Sequence, residues 1–309
     1  MTTSRLSGVI AAVATAIDST GEPHTARSTS LGRFLLEHGC DGLNVLGTTG
    51  EATSFSREQR QRVMTAYADA GLPMRRLLVG TGAAAVADAV ALTRHAADLG
   101  FAGALLLPPF YYREVPDEGL LRTLDAIVTA TASRPIPIYL YHFPALSGVP
   151  WHLDLVARVI AAFKDRVIGL KDSSGDLDFA RAAAGLGEGF DVFPSSEAVL
   201  GEARRTGFAG CISATVNLNA DLCARAYWQA DPAALAAATA VRGLFAGKPV
   251  VPGVKSVLAH IHGDPAWARV MPPLEAASPT EAAAAAAAYD AVRTPGGVTA
   301  TACTTLMKR

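Results

Sequence analysis

The chain is short of the features that announce several common protein classes. Its 309 residues include four cysteines, Cys40, Cys211, Cys223 and Cys303, and none forms a CxxC pair. No Cys/His spacing suggests zinc or another metal, and thiols this sparse make no disulfide framework. They read as buried or free thiols in a reducing compartment, hence a cytoplasmic protein is expected. The formal net charge is −1. No run of like charge marks a face for nucleic acid or a membrane surface. No apolar stretch reaches the ~18–20 residues of a membrane span. A GxGxxG turn after the first strand is also missing, which counts against a doubly wound dinucleotide-binding sheet. Half the residues are hydrophobic and 18% are charged, a composition that can bury a large core.

What is present is an alternation. Short apolar runs read as strands over Gly8–Ile17, Gly42–Leu46, Arg76–Gly80, Gly103–Leu107, Ile136–Tyr141, Val167–Lys171, Asp191–Pro194 and Gly210–Ser213. Between them lie amphipathic or Ala-rich patterns, among them Thr29–His38, Arg57–Ala70, Ala84–Leu99, Glu197–Thr206 and Ala220–Trp228, several closed by a glycine. Eight strands alternating with helices predict a (β/α)8 TIM barrel over residues 1–230. After Asp231 the strands stop. Pro232–Phe245, Lys255–His260 and Thr280–Arg293 read as helices, so 231–294 is expected to be a helical extension of the same domain. Residues 295–309 lack periodicity and are expected to form a disordered tail. Leu6 to Ile17 behind Arg5 looks like a weak signal peptide. One basic residue is a poor n-region, and the strand count needs this segment, so it reads as the first barrel strand.

Barrel chemistry sits where strands end and βα loops begin. Only five lysines occur in the chain, and Lys171 ends the sixth strand. An ammonium at the end of a buried strand is costly unless it is paired or functional. It is either a strand-end lysine reaching solvent or a salt bridge, or a Schiff-base nucleophile. Gly47-Thr48-Thr49-Gly50-Glu51 follows the second strand. Its glycines allow tight turns whose amide N–H groups can face a carboxylate. The fifth strand ends in Tyr141, placed to point a phenol into the barrel mouth, where it can shuttle protons or pack the rim. Alternation sends His142 the other way, as a structural or peripheral residue. Lys255 lies on no barrel strand and is the weaker nucleophile candidate.

Together, Gly47–Glu51, Tyr141-x-x-Pro144 and Gly169-x-Lys171-Asp172 resemble the dihydrodipicolinate synthase / N-acetylneuraminate lyase family of class I aldolases, over roughly Gly8 to Ala268. The resemblance implies that Lys171 forms a Schiff base with a 2-oxo acid such as pyruvate and that Tyr141 acts as the general acid/base. It implies that Gly47, Thr48 and Thr49 hold the 2-oxo acid carboxylate. In Phe110-Tyr111-Tyr112, Tyr112 resembles the phenol that the family supplies across a tight dimer interface to a Thr–Tyr proton relay. A homotetramer built from tight dimers is therefore expected. No metal or organic cofactor is implied, and the only partner expected besides further copies is a small-molecule 2-oxo acid.

The departures bear on substrate. In the loop after the fifth strand, Phe143-Pro144-Ala145-Leu146, the synthase branch has an arginine for its partner's carboxylate where this chain has Leu146. An isobutyl group makes no bidentate contact, so lysine-pathway synthase activity is not expected. The sialate lyase branch has an acidic pair after the seventh strand and a serine after the eighth. Here those regions read Ser195-Ser196-Glu197 and Ile212-Ser213-Ala214, leaving Glu197 as the single acid. Phe143, Leu146, Ser195, Glu197, Ile212 and Ala214 are the expected specificity residues. The expected activity is cleavage of a 2-keto-3-deoxy sugar acid or related hydroxy-oxo-acid into pyruvate and an aldehyde. The alternatives are a dehydratase or deaminase using the same imine, a dihydrodipicolinate synthase, and a non-catalytic barrel that binds 2-oxo acids.

Overall fold

The computed structural model describes residues 5–294. The expected tail at 295–309 lies outside them. Eight parallel strands run in sequence order: β1 Gly8–Ala12, β2 Gly42–Val45, β3 Leu77–Gly80, β4 Gly103–Leu106, β5 Ile138–His142, β6 Val167–Asp172, β7 Asp191–Pro194 and β8 Gly210–Ser213. Each strand ladders with the next from β1 to β7, and β8 pairs β1, with Gly8 opposite Gly210. Between β7 and β8 a parallel bridge joins Val192 to Phe208, and Ala209 N donates to Val192 O at 2.9 Å. The sheet is thus a nearly closed TIM barrel.

The helices that follow the strands are α1 Thr25–Glu37, α2 Arg57–Asp69, α3 Val86–Leu99, α4 Asp117–Ala130, α5 Leu153–Phe163, α6 Leu177–Ala184, the single turn α7 Ala203–Thr206, and α8 Val216–Trp228. Their starts are set by local chemistry. Ser56 and Gln59 make a reciprocal capping box for α2, and Asp176 caps α6 through the N–H groups of Asp178 and Phe179. Three more helices follow: α9 Pro232–Gly243, α10 Val250–His262 and α11 Pro279–Arg293. Helix α9 packs on α8, and α11 on α9 and α10. Among the described residues no helix is long and apolar enough to cross a membrane.

Strand alternation divides the core. Val9, Leu43, Val45, Leu170 and Val192 face the helices in the larger cluster. Ile10, Leu78, Leu105, Tyr139, Tyr141, Phe193 and Ile212 fill the barrel interior. Gly169 makes room there: a Cβ on it would stand 2.6 Å from the Tyr139 ring and 2.4 Å from Asp191 O. Two elements differ from expectation. The first strand stops at Ala12 instead of reaching Ile17, because side chains capture the backbone: Asn217 Oδ1 accepts from Ala14 N at 3.1 Å, and Ser28 Oγ from Ala16 N at 2.9 Å. The expected helix Glu197–Thr206 is a 3₁₀ turn, Glu197–Val199, followed by α7, because the Glu197 carboxylate turns inward.

Candidate active site

The C-terminal ends of the strands surround a cavity of about 500 Å³, a usual size for a small-molecule site. Lys171 enters it from β6 and Tyr141 from β5, opposite each other in the ladder. Both are buried. Lys171 Nζ lies 4.3 Å from the centroid of the Tyr141 ring and has no salt-bridge partner among the described residues. The Tyr141 hydroxyl is 3.1 Å from Thr48 Oγ1. An amine thus stands over the face of a phenol ring whose hydroxyl is hydrogen-bonded to a second hydroxyl.

Thr48 belongs to a tight loop after β2. Glu51 N donates to Thr48 O at 3.0 Å and Ala52 N to Gly47 O at 3.3 Å. Leu46 at φ 53° and Glu51 at φ 55° bracket the loop in the left-handed region, where non-glycine residues store strain of order 1 kcal/mol or more. A Cβ on Gly47 would fall 2.4 Å from Asn44 Nδ2, so the buried Asn44 side chain would have to shift to admit one. The loop is anchored from the far end of the chain. Glu51 Oε1 accepts from Lys255 Nζ at 2.5 Å, and Glu51 Oε2 from Met271 N at 2.6 Å. Lys255 is fully buried. Burial pushes its ammonium below the ordinary lysine value, while Glu51 pulls it back up.

Of the expected site residues, Thr48, Thr49, Tyr141, Phe143, Leu146, Lys171, Ser195, Ile212 and Ala214 all line the cavity. Gly47 does not. It borders a small adjoining void shared with Thr48 and Tyr141. Glu197 is withdrawn from the cavity, and its expected place beside substrate is corrected. It is fully buried, accepting from Ser213 Oγ at 2.7 Å, from Thr215 Oγ1, and from Arg242 Nη1 at 3.3 Å. Tyr112 is 72% exposed, pairs edge-on with Tyr111, and stays out of its own chain's cavity. His142 faces outward as expected. Its Nδ1 accepts from Trp151 N at 3.0 Å and its ring stacks on Phe179. Burial lowers its pKa to about 4.

Sequence reasoning missed the cavity's outer wall. Arg242 of α9 lines it, as do Pro249, Val250, Val251 and Pro252 around the start of α10, and Leu274 beyond α10. The available signals were the apolar Val250–Pro252 run and a lone lysine in the apolar stretch of α10. Neither indicates by spacing which barrel loop it meets.

The chain and its fold have known relatives. The dihydrodipicolinate synthetase family model matches residues 5–278. An uncharacterized DapA-like lyase of Chloroflexus aurantiacus is 33% identical over 266 residues, covering 84% of this chain and 88% of that protein. A 4-hydroxy-tetrahydrodipicolinate synthase of Kineococcus radiotolerans is 30% identical over 290 residues, covering 90% and 91%. Among solved structures, dihydrodipicolinate synthase from Agrobacterium tumefaciens superposes with a TM-score of 0.85 at 28% identity, covering 92% of this chain and 99% of that one. Proteus mirabilis N-acetylneuraminate lyase shares the fold, with a TM-score of 0.80 at 24% identity over 94% and 99%. With a family match along nearly its whole described length, the chain belongs to the dihydrodipicolinate synthetase family of Schiff-base lyases.

Proposed function

We propose that this protein is a class I aldolase that splits a 4-hydroxy-2-oxo acid into pyruvate and an aldehyde through an imine on Lys171. The observation that carries this reading is the grouping of Lys171, Tyr141 and Thr48 in one cavity, with the amine unpaired and the two hydroxyls 3.1 Å apart. The substrate carboxylate sits at the Thr48–Thr49 turn. The Lys171 amine adds to the C2 carbonyl, and Tyr141 gives its proton to the departing hydroxyl, so that water leaves and a protonated imine and a Tyr141 phenolate remain. The phenolate takes the proton of the C4 hydroxyl. The C3–C4 bond breaks, its electrons pass into the iminium, and the aldehyde departs. The resulting enamine regains a proton at C3 from Tyr141. Water then hydrolyses the imine, releasing pyruvate and restoring Lys171. Thr48 holds the phenol and passes its proton on.

The polar inner end and the uncharged Leu146 loop support a hydroxylated 2-oxo acid with no second carboxylate. The sugar-acid form of that substrate is less well supported, since Glu197 is withdrawn and Ala214 and Ile212 offer no hydrogen bond. Tyr112, exposed and off its own cavity, suits delivery to a second copy, which favours the oligomer built from tight dimers. Borohydride reduction in the presence of pyruvate tests the imine. One three-carbon adduct per chain on Lys171 is expected, together with pyruvate release from a panel of 4-hydroxy-2-oxo acids. A label on Lys255 would overturn the mechanism. Trapping without turnover of any 2-oxo acid would return the protein to the binding-barrel reading, and turnover without C–C cleavage to the dehydratase or deaminase.

A further inference from the structure

Two features of the cavity bear on the half of the substrate that leaves as aldehyde. The first is its charge. Three ionisable side chains other than phenols line it: Glu51, Lys171 and Arg242. Glu51 is paired with Lys255, and Arg242 with Glu197. Each pair is formally neutral. Among the described residues, Lys171 is the lining cation that faces no carboxylate, while Arg242 already faces one.

The second feature is how polarity changes along the cavity. The inner end carries the hydroxyls of Thr48, Thr49 and Tyr141, all buried or half-buried. The rest of the lining is mostly aliphatic, with Leu146, Ile212, Val250, Val251 and Leu274, interrupted by the hydroxyls of Thr53, Ser54, Ser173 and Ser195. Leu146 is 61% exposed and Val250 41% exposed. Monomeric surfaces leave large aliphatic side chains singly exposed without consequence, but these two face each other's cavity as part of one apolar wall. Each hydroxyl of a polyhydroxy chain laid on the aliphatic part of that wall would lose water without gaining a partner, at a cost of roughly tenfold in binding per hydroxyl so stranded. An apolar chain would cover aliphatic surface that is now in contact with water.

We propose that the aldehyde half of the substrate is neutral and apolar, branched-aliphatic or aromatic, and that the wall formed by Leu146, Val250, Val251 and Leu274 selects it. This rests on the imine reading above and narrows it. The site then combines a polar, cationic end for the 2-oxo acid with an uncharged apolar end for the tail. Arg242 contributes to the wall as the cationic half of an ion pair with Glu197.

The test compares 4-hydroxy-2-oxo acids made from pyruvate and three kinds of aldehyde: isobutyraldehyde and benzaldehyde, glyceraldehyde, and succinic semialdehyde. Pyruvate release is measured with the full chain, alongside borohydride trapping of pyruvate. The apolar-tailed acids are expected to have kcat/KM about tenfold or more above the other two, the scale on which a hydrophobic pocket discriminates. Val250→Asp and Leu146→Asp place a carboxylate in the apolar wall. Each is expected to reduce that preference by about tenfold, with borohydride trapping of pyruvate on Lys171 measured alongside as the separate readout of the imine. Trapping with equal or better cleavage of the polyhydroxy or anionic acid would overturn the tail assignment and leave the imine reading standing. Absence of trapping would overturn the imine reading and this inference with it.

Discussion

Two lysines are buried around one cavity, and they meet opposite surroundings. Lys171, 3% exposed, looks onto the face of the Tyr141 ring and finds no carboxylate among the described residues. Lys255, at 0%, is bonded to Glu51. The amine of Lys255 is committed as a donor, and its charge is cancelled where water cannot do so. The amine of Lys171 is free to meet a carbonyl carbon. Burial is therefore not what separates the two lysines. The lack of an anionic partner on the cavity side is: Lys171, one position before the end of β6, has a phenol and not a carboxylate for its neighbour on β5.

The sharpest way to break this comparison is to remove each amine in turn. Lys171→Ala should abolish both turnover and the borohydride adduct. Lys255→Met should still give the adduct on Lys171, read by peptide mass mapping. Retained turnover in Lys171→Ala would reverse the two assignments.

The next largest effect belongs to the partner of Lys171. Tyr141→Phe keeps the ring over Nζ and removes the hydroxyl that meets Thr48. A fall in kcat of roughly 10²–10⁴ is expected, the range for a positioned proton-transfer group. A kcat near the wild-type value would make Tyr141 a packing residue and leave Lys171 without its acid/base.

The partner of Lys255 gives a stability effect instead. Lys255→Met leaves the Glu51 carboxylate buried with only Met271 N and should cost on the order of 3–5 kcal/mol in urea denaturation. Adding Glu51→Gln removes the stranded charge and keeps an acceptor for Met271 N, so part of that loss should return. If the double variant is as unstable as the single, the pair is not what anchors the loop.

How much of this could be read in the sequence depends on the range of each contact. Lys171 and Tyr141 were legible because a strand's period of two fixes which side chains face the barrel interior, and both end apolar runs. His142 was legible as an outward residue for the same reason. The pairing of Glu51 with Lys255 spans 204 positions and that of Glu197 with Arg242 spans 45. No periodicity links such residues, so Glu197 read as a substrate ligand when it is an internal anchor for Arg242. The outer wall was missed because helices α9 and α10 follow the last strand, and their own patterns show an apolar face without showing which loop it covers.

The smallest expected effect sharpens the comparison with a third buried base. His142 also has no ion-pair partner among the described residues, but it points away from the cavity. Its ring is neutral, accepting from Trp151 N at 3.0 Å and stacked on Phe179, and burial holds its pKa at about 4 against 6.5 for an ordinary histidine. The unfolded chain therefore binds a proton more readily than the folded chain between those values. The stabilisation is full above pH 6.5 and is lost as the pH falls toward 4, by on the order of 3 kcal/mol. Other groups titrate in the same window, so the effect is read as a difference. His142→Gln offers an acceptor to Trp151 N without titrating, and its urea stability should fall less between pH 7 and pH 4 than that of the wild type. At pH 7 its pyruvate adduct on Lys171 and its kcat should stay within about twofold, since surface or structural changes away from the reacting atoms leave the transition state alone. A large loss of kcat with an unchanged pH–stability profile would mean that His142 serves the chemistry, and that facing the cavity is not what separates a working buried base from a structural one.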